Sequence, residues 1–85
     1  MIAMMTFLNE PIKVICGFEK GKVKPISFKW HYREYAILRT VFRFKTNQGI
    51  EPILVFSCET PGGIFDLVFN LKTLSWRIRS FHQEP

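Results

Sequence analysis

Short stretches in which apolar and polar residues alternate, separated by turn signals, are the feature that most constrains the fold. Every second side chain is apolar across residues 26–31, for example. This period of two is typical of a β-strand with one buried face. Turn signals at residues 19–22, near Tyr32, and at residues 47–49, 61–63 and 70–73 recur too closely for the helices that would connect parallel strands. The spacing therefore favours an antiparallel meander.

The sequence predicts six strands in succession. Their boundaries are residues 12–18, 23–31, 33–46, 52–60, 64–70 and 74–81. In the long third strand, the parity of the apolar residues changes between Ile37 and Phe42. Because a slip of one residue sends side chains to the opposite face, we expect a β-bulge or a strong bend between Leu38 and Val41.

One apolar face on a sheet of this size must be covered, and a chain of 85 residues offers no second domain to cover it. We therefore expect an all-β fold, in which a six-stranded antiparallel meander curls into a small, partly open barrel. Residues 1–85 would form a single domain, with an N-terminal extension at 1–10 and a frayed tail at 82–85. An open barrel has free strand edges, and these would favour a homodimer.

Apolar runs and cysteines indicate the compartment. No apolar run approaches the roughly 20 residues needed to span a bilayer, so we expect no membrane span. The N-terminal segment lacks the basic region and the cleavage site of a signal peptide, which favours the cytoplasm. Cys16 and Cys58 are too few for a disulfide framework and lie among apolar residues, so we expect buried, reduced thiols. A bond between the two on neighbouring strands stays open.

The sequence carries no strong catalytic or metal-binding pattern. Asp66 is the only aspartate, and its parity, opposite to that of Phe65, directs it to solvent. The two cysteines and two histidines lack the spacing of metal ligands. We therefore predict no enzymatic activity, no cofactor and no metal site. A Cys58–His31 pair within hydrogen-bond distance would instead favour nucleophilic catalysis.

Positive charge is concentrated in two segments. The chain has twelve Lys and Arg against seven Asp and Glu, for a net charge of +5. Eight of the basic residues lie from Lys20 to Lys45, where Glu34 is the only acid. A second group comprises Lys72, Arg77 and Arg79. Clustered positive charge favours polyanionic partners such as DNA, RNA or an acidic protein surface. The alternative is a solvated face that keeps the protein soluble.

Basic residues interleaved with aromatic ones are typical of a β surface that binds single-stranded nucleic acid through phosphate contacts and base stacking. The candidate binding residues are Lys29, His31, Arg33, Arg39, Arg43, Arg77 and Arg79. The densest patch is residues 29–33. Arg39 and Arg43 alternate along one side of the predicted third strand, and Arg77 and Arg79 do so on the sixth.

The aromatic part of this interpretation depends on few side chains. Trp30 and Trp76 fit the pattern of core residues, where a large ring is most often buried. Stacking would then depend on Tyr32 and Phe44. The expected function is accordingly a non-enzymatic binding module with nucleic acid as its ligand. The alternative is an adaptor for a protein partner, or a homodimer of unknown role.

Residues 25–35 also carry a recognisable pattern. It consists of Pro25, Phe28, Trp30, a two-residue turn, Arg33 and Tyr35. Together with residues 11–14 and 74–78, this segment resembles a family of small, uncharacterised bacterial single-domain proteins, some of which are encoded near Y-family (translesion) DNA polymerases. The resemblance covers most of residues 11–81. It implies a cytoplasmic β domain and a DNA-linked context such as replication or repair.

The chain departs from this family at the turn. Relatives often carry Arg-Gly there, whereas this sequence has His31-Tyr32. Without glycine, the hairpin is expected to be less relaxed, and any role of an arginine at that turn does not carry over. The family has no established activity, so the resemblance implies no catalytic residue.

Overall fold

Alternating side chains and tight turns produce seven strands in the computed structural model, which describes residues 4–83. They are β1 (Met4–Glu19), β2 (Lys22–Trp30), β3 (Arg33–Ala36), β4 (Arg39–Gln48), β5 (Glu51–Thr60), β6 (Gly63–Asn70) and β7 (Ser75–Gln83). They pair antiparallel in the order β3-β2-β1-β7-β6-β5-β4. The predicted all-β meander, curled into a half-open barrel, is thus confirmed, with seven strands in place of six. No helix among the described residues is long and apolar enough to cross a membrane.

Strand β1 joins two parts of the sheet. Its residues 4–12 pair with β7, and its residues 13–19 pair with β2. A strand that changes partners midway forms a corner between two packed layers. Residues 4–10, expected as an extension, therefore belong to the sheet, and β7 likewise continues to Gln83. The remainder of the expected extension and tail lies outside the described residues.

The second corner lies between β3 and β4. Ile37 N–H donates to Ile26 O on β2 (3.0 Å), whereas the N–H of the next residue, Leu38, donates to Glu59 O on β5 (2.7 Å). Between two successive residues, the chain exchanges one neighbouring strand for another. This corner divides the predicted third strand into β3 and β4, which accounts for the seventh strand.

Val41 forms a β-bulge in β4. The residues on either side of it, Thr40 and Phe42, pair with the adjacent residues Cys58 and Ser57, so Val41 has no partner on β5. The change in parity of the apolar residues predicted a β-bulge or a strong bend between Leu38 and Val41, and the bulge at Val41 confirms this expectation. Because of the extra residue, side chains after the bulge point to the face opposite to the one that simple alternation gives.

The core lies between the two layers, on the inner face of the curled sheet. Phe28 of β2 packs edge-on against Phe65 of β6, with ring centroids 5.1 Å apart, and Tyr35 stacks on Phe28 at 5.0 Å. Other fully buried members of the core are Phe56, Leu67 and Ile78. A flat sheet would leave this face in water, so these contacts across the barrel stabilise its curled form.

Trp76 provides a test of the inner face. It is 8% exposed, and its ring centroid lies 4.7 Å from that of Phe69. We expect Trp76→Ala to reduce the free energy of unfolding by about 3–5 kcal/mol, because the substitution opens a cavity in the core. Urea unfolding measures the loss. Phe18→Ala, at a ring that is 76% exposed, is the control, with an expected change below about 0.5 kcal/mol. Equal losses would contradict the assigned inner face.

The hairpin between β2 and β3 turns on two residues in the left-handed region. The φ angle is 50° at His31 and 62° at Tyr32. Two successive positive φ values are typical of a type I′ turn, in which Asn-Gly is preferred. A side chain with a Cβ costs about 1–2 kcal/mol in this conformation. The positive angles agree with the less relaxed hairpin that the missing glycine predicts.

We expect Tyr32→Gly to raise the free energy of unfolding by about 1 kcal/mol, since glycine adopts positive φ without steric cost. Tyr32 is fully exposed, so its ring contributes no packing that the substitution would remove. Thermal unfolding measures the gain. Tyr32→Ala is the control, because it removes the ring and keeps the Cβ. A similar gain from alanine would show that the ring, and not the backbone, is unfavourable.

Candidate nucleic-acid interface

The structure places the predicted binding residues in three regions. Lys29, His31 and Arg33 lie at the tip of the β2–β3 hairpin, Arg39 and Arg43 lie on β4, and Arg77 and Arg79 lie on β7. Each region borders a different groove. They do not form one continuous row, because the strand order separates β4 from β7 by two strands and places the hairpin in the other layer.

At the hairpin tip, the ring of His31 stacks on that of Trp30, with centroids 4.3 Å apart. His31 Nε2 donates a hydrogen bond to Glu10 Oε1 (3.2 Å), and both side chains are exposed. Trp30 is half-buried and packs against the core, so the exposed ring in this region is Tyr32. The Glu10 carboxylate offsets part of the positive charge at the tip.

Arg39 and Arg43 point to opposite faces of the sheet, which corrects the prediction that they share one side of a strand. Arg39 lies opposite Glu59, and Arg43 lies opposite Phe56. These two β5 residues are three apart and therefore face opposite ways. The bulge at Val41 is the physical reason, since it inserts an extra residue between the two arginines.

The contacts of the two arginines differ accordingly. Arg39 Nε donates to Glu59 Oε1 (3.0 Å) in an exposed ion pair. Arg43 lies over the Phe56 ring, with its guanidinium carbon 5.2 Å from the ring centroid. One Nη of Arg43 donates to Val23 O on β2 (3.3 Å). Arg43 therefore spans the gap between β2 and β4, whereas the charge of Arg39 is balanced by its partner.

Three lysines outside the predicted set border the same gap. They are Lys20, Lys22 and Lys24. Their charges contribute to the basic segment of the sequence, but their proximity to Arg43 depends on the curling of the sheet, which brings the start of β2 near β4. The sequence feature that could have identified Lys22 and Lys24 as neighbours on one face is the alternation of lysine with apolar residues across residues 22–25.

A groove on the outer face of the sheet brings a phenylalanine of β4 near the arginines of β7. The register aligns Phe44, Val55, Val68 and Arg77 in one row across β4, β5, β6 and β7. The two valines are buried in a cluster with Ile53 although they lie on the outer face. Ile53 and Val68 line the groove, so it has an apolar floor between an aromatic and a cationic end. The groove has a volume of about 400 Å³, within the range of small-molecule sites.

The rim of this outer groove is polar. Besides the two arginines of β7, it carries amide and hydroxyl side chains from Asn9, Thr46, Asn47 and Gln48. None of the described residues that line it is acidic. An apolar floor with an aromatic wall and a cationic rim can hold an anionic ligand that has a flat apolar part.

Arg77 is held in place by an irregularity in β1. Its Nε donates to Asn9 Oδ1 (2.7 Å) and its Nη2 to Asn9 O (2.6 Å). Asn9 has a φ angle of 125°, and the pairing of β1 with β7 is interrupted between Phe7 and Glu10. The two hydrogen bonds fix the guanidinium plane and leave its remaining N–H groups available to a ligand.

Arg79 is the extra residue of a second bulge, in β7. Asp66 pairs with Ser80, and Leu67 pairs with Ile78. Arg79, which lies between Ile78 and Ser80, therefore has no partner on β6. Its side chain is exposed and has no hydrogen-bond or ion-pair partner among residues 4–83. Arg79 lines the outer groove with Arg77.

Asp66 does not point freely to solvent, which corrects the expectation from its parity. Its side chain is 20% exposed and accepts hydrogen bonds from Ser57 Oγ and Ser80 Oγ (2.8 Å). His82 Nε2 lies 3.4 Å from the same carboxylate. The parity of Asp66 correctly predicted that its side chain lies on the outer face of the sheet, but polar side chains of the neighbouring strands surround its carboxylate there. Because both hydroxyls and the imidazole turn to the carboxylate, this cluster lacks the serine–histidine contact of an activated nucleophile.

Cys16 and Cys58 are both free thiols. Burial raises the pKa of the Cys58 thiol to about 12, so this group stays protonated near neutral pH. Its Sγ donates to Phe56 O (3.9 Å), while His31 contacts Glu10, so the Cys58–His31 pair is not formed. Within residues 4–83, no three His, Cys, Asp or Glu side chains lie close enough to hold a metal ion.

The Asp66 cluster can be tested by its contribution to stability. We expect Asp66→Ala to reduce the free energy of unfolding by about 1–3 kcal/mol, because Ser57 and the buried Ser80 lose their acceptor. Asp66→Asn should cost less, since the amide still bonds to both hydroxyls. Chemical denaturation measures both variants. Equal stability of Asp66→Ala and the wild type would contradict a stabilising role for the cluster.

Comparison with known proteins does not assign a function to the chain, so a functional proposal depends on the geometry of its surface. No family model, curated protein or solved structure matches the chain. The family resemblance and the function it implies are therefore proposals. The resemblance depends on sequence alone, whereas the outer groove and the charges around it bear only on the class of ligand.

Proposed function

We propose that the protein is a non-enzymatic module that binds single-stranded nucleic acid in the outer groove. The observation that carries the proposal is the cross-strand row from Phe44 to Arg77, which sets a ring and a guanidinium on either side of an apolar floor. A nucleotide has matching parts. Its flat base stacks on an aromatic ring, and its phosphate accepts hydrogen bonds from arginine.

Phe44 supplies the stacking surface. Its ring is 39% exposed, and its centroid lies 5.5 Å from that of Phe42, which is 59% exposed. Two adjacent exposed rings offer stacking faces to successive bases, each worth about 1–3 kcal/mol. A duplex hides its base faces within its own stack, so these rings favour a single strand. The ring of Tyr32 is also exposed, but it lies at the hairpin tip and does not line the outer groove.

Arg77 and Arg79 supply the phosphate contacts. Because Asn9 already orients Arg77, less side-chain entropy is lost when that residue binds a ligand. Arg79 is unpaired within the described chain and can turn toward a phosphate. The net charge of +5 adds long-range attraction to a polyanion. Binding should therefore weaken steeply as the salt concentration rises.

The biological setting is part of the proposal. A bacterial cytoplasmic location and a context of DNA replication or repair follow from the resemblance carried by residues 25–35. The groove itself supports only the class of ligand, a single-stranded polyanion with flat bases. DNA and RNA are both compatible with it.

Two substitutions in the outer groove test the proposal. We expect Phe44→Leu to weaken binding of a labelled oligo-dT by about fivefold or more, because leucine keeps the apolar contact and has no ring for stacking. Arg79→Gln should reduce the slope of log affinity against log salt by about 0.7, the contribution of one phosphate contact on a single strand. Fluorescence anisotropy at several salt concentrations measures both effects.

Matched controls lie outside the groove. Phe18→Leu removes an exposed ring from β1, and Arg33→Gln removes an exposed arginine from the hairpin tip. Both should change the affinity less than their groove counterparts. Equal effects of groove and control variants would assign binding to diffuse charge. Absence of oligo-dT binding to the wild type at low salt would reject the proposal.

A further inference from the structure

The free edge of β4 is a feature that the proposed nucleic-acid site does not use. Strand β4 pairs with β5 along one side, and no other strand among residues 4–83 pairs with its second side. Such an edge presents a row of backbone N–H and C=O groups to solvent. Apart from Thr40, every residue of Arg39–Gln48 is exposed, and the Arg43 side chain crosses this edge to Val23 O.

A basic gap separates this edge from the start of β2. Lys20, Lys22 and Lys24 line it from the β2 side, and the β4 side contributes Arg39 and Arg43. Among the described lining residues, Glu19 is the single acid. The gap has a volume of about 490 Å³. The hydrogen bond from Arg43 to Val23 O crosses it, so a long side chain takes the place that a ladder of backbone hydrogen bonds would occupy.

The charge of β4 opposes pairing with a second copy of the chain. The strand carries Arg39, Arg43 and Lys45 and contains no acidic residue. Arg43 and Lys45 form a basic row on one face of β4. Antiparallel pairing of two β4 strands would set this row near its counterpart in the other copy, and like charges on opposed strands are destabilising. Basic residues at a sheet edge commonly prevent self-association. The same row complements a strand that carries carboxylates.

The β2 side of the gap is less suited to accept a strand. Pro25 lies in the segment of β2 that borders the gap and has no N–H to donate. Strand β4 contains no proline from Arg39 to Gln48. The backbone hydrogen-bonding capacity therefore lies on β4, while both sides supply positive charge.

We propose that the gap binds an extended acidic segment of a partner protein, which adds to β4 as a further strand. The backbone of that segment would pair with the free edge, and alternate carboxylates would contact Lys22, Lys24 and Arg43. Arg43 would exchange Val23 O for a carboxylate, which is a stronger, charge-assisted acceptor. The inference is independent of the outer groove, since Arg79 does not line the gap.

The backbone component can be separated from the charge by peptide chemistry. The probe is a labelled peptide of about eight residues in which glutamate alternates with threonine. Two matched peptides carry N-methyl groups on alternate residues, one in each phase. In an added strand, the N–H groups of every second residue point toward β4. The peptide that is N-methylated at these residues should bind at least about tenfold more weakly than the parent. The peptide that is N-methylated at the residues between them should bind nearly as well as the parent. Fluorescence anisotropy measures the three affinities.

Two pairs of substitutions locate the site. Lys22→Gln with Lys24→Gln should weaken binding of the parent peptide by about tenfold. Lys13→Gln with Lys29→Gln is the matched control for net charge, on exposed residues that do not line the gap, and should change the affinity less. Arg79→Gln should leave peptide binding unchanged, so failure of this inference can be told apart from failure of the proposed nucleic-acid site.

Three results would overturn the inference. Equal affinities of all three peptides would show a polyanion surface without strand addition. Oligo-dT that displaces the peptide, together with loss of both ligands in the Lys22 and Lys24 variant, would assign the gap to nucleic acid. A dimer of the free protein in sedimentation experiments, dissociated by the parent peptide, would assign the edge of β4 to a second copy of the chain.

Discussion

The contact between Phe28 and Phe65 is the interaction on which the rest of the structure depends. The two rings belong to strands in different layers, yet their centroids lie 5.1 Å apart. They can meet only because the sheet bends twice, once within β1 and once between β3 and β4. Residues 4–83 contain no further element that covers the apolar face, so curling of the sheet is what removes these rings from water.

The irregularities that accompany this curling also shape the candidate surfaces. The bulge at Val41 separates Arg39 from Arg43 and directs the second of these across the gap. The irregularity at Asn9 holds the guanidinium of Arg77, and the bulge in β7 presents Arg79 at the same groove. In a sheet with one buried face, interruptions of the pleat are the places where side chains leave the regular alternation.

The two proposed surfaces use positive charge in different ways, and β4 contributes to both. On the outer face, Phe44 and the buried valines of the neighbouring strands restrict the ligand to one with a flat apolar part. At the edge of β4, the ligand is restricted by backbone pairing and by the row of basic side chains. Under the two proposals, a nucleic acid and a protein partner would bind at separate places, because the face and the edge of a strand point in perpendicular directions.

The sequence by itself determined the β class and most of the strands, the interruption near Val41 and the burial of Trp76, because these depend on local periodicity and on the turns. It did not show that residues 4–10 pair with β7 or that the third strand divides at a corner. The tertiary structure decided which residues share a site. Phe44 and Arg77 line one groove only because of the registers of three strand pairs, and the Asp66 carboxylate accepts hydrogen bonds from hydroxyls of two neighbouring strands. Local alternation reports the face of a side chain within its own strand. Its neighbours across the sheet depend on strand order and register, which the packing of distant core residues sets.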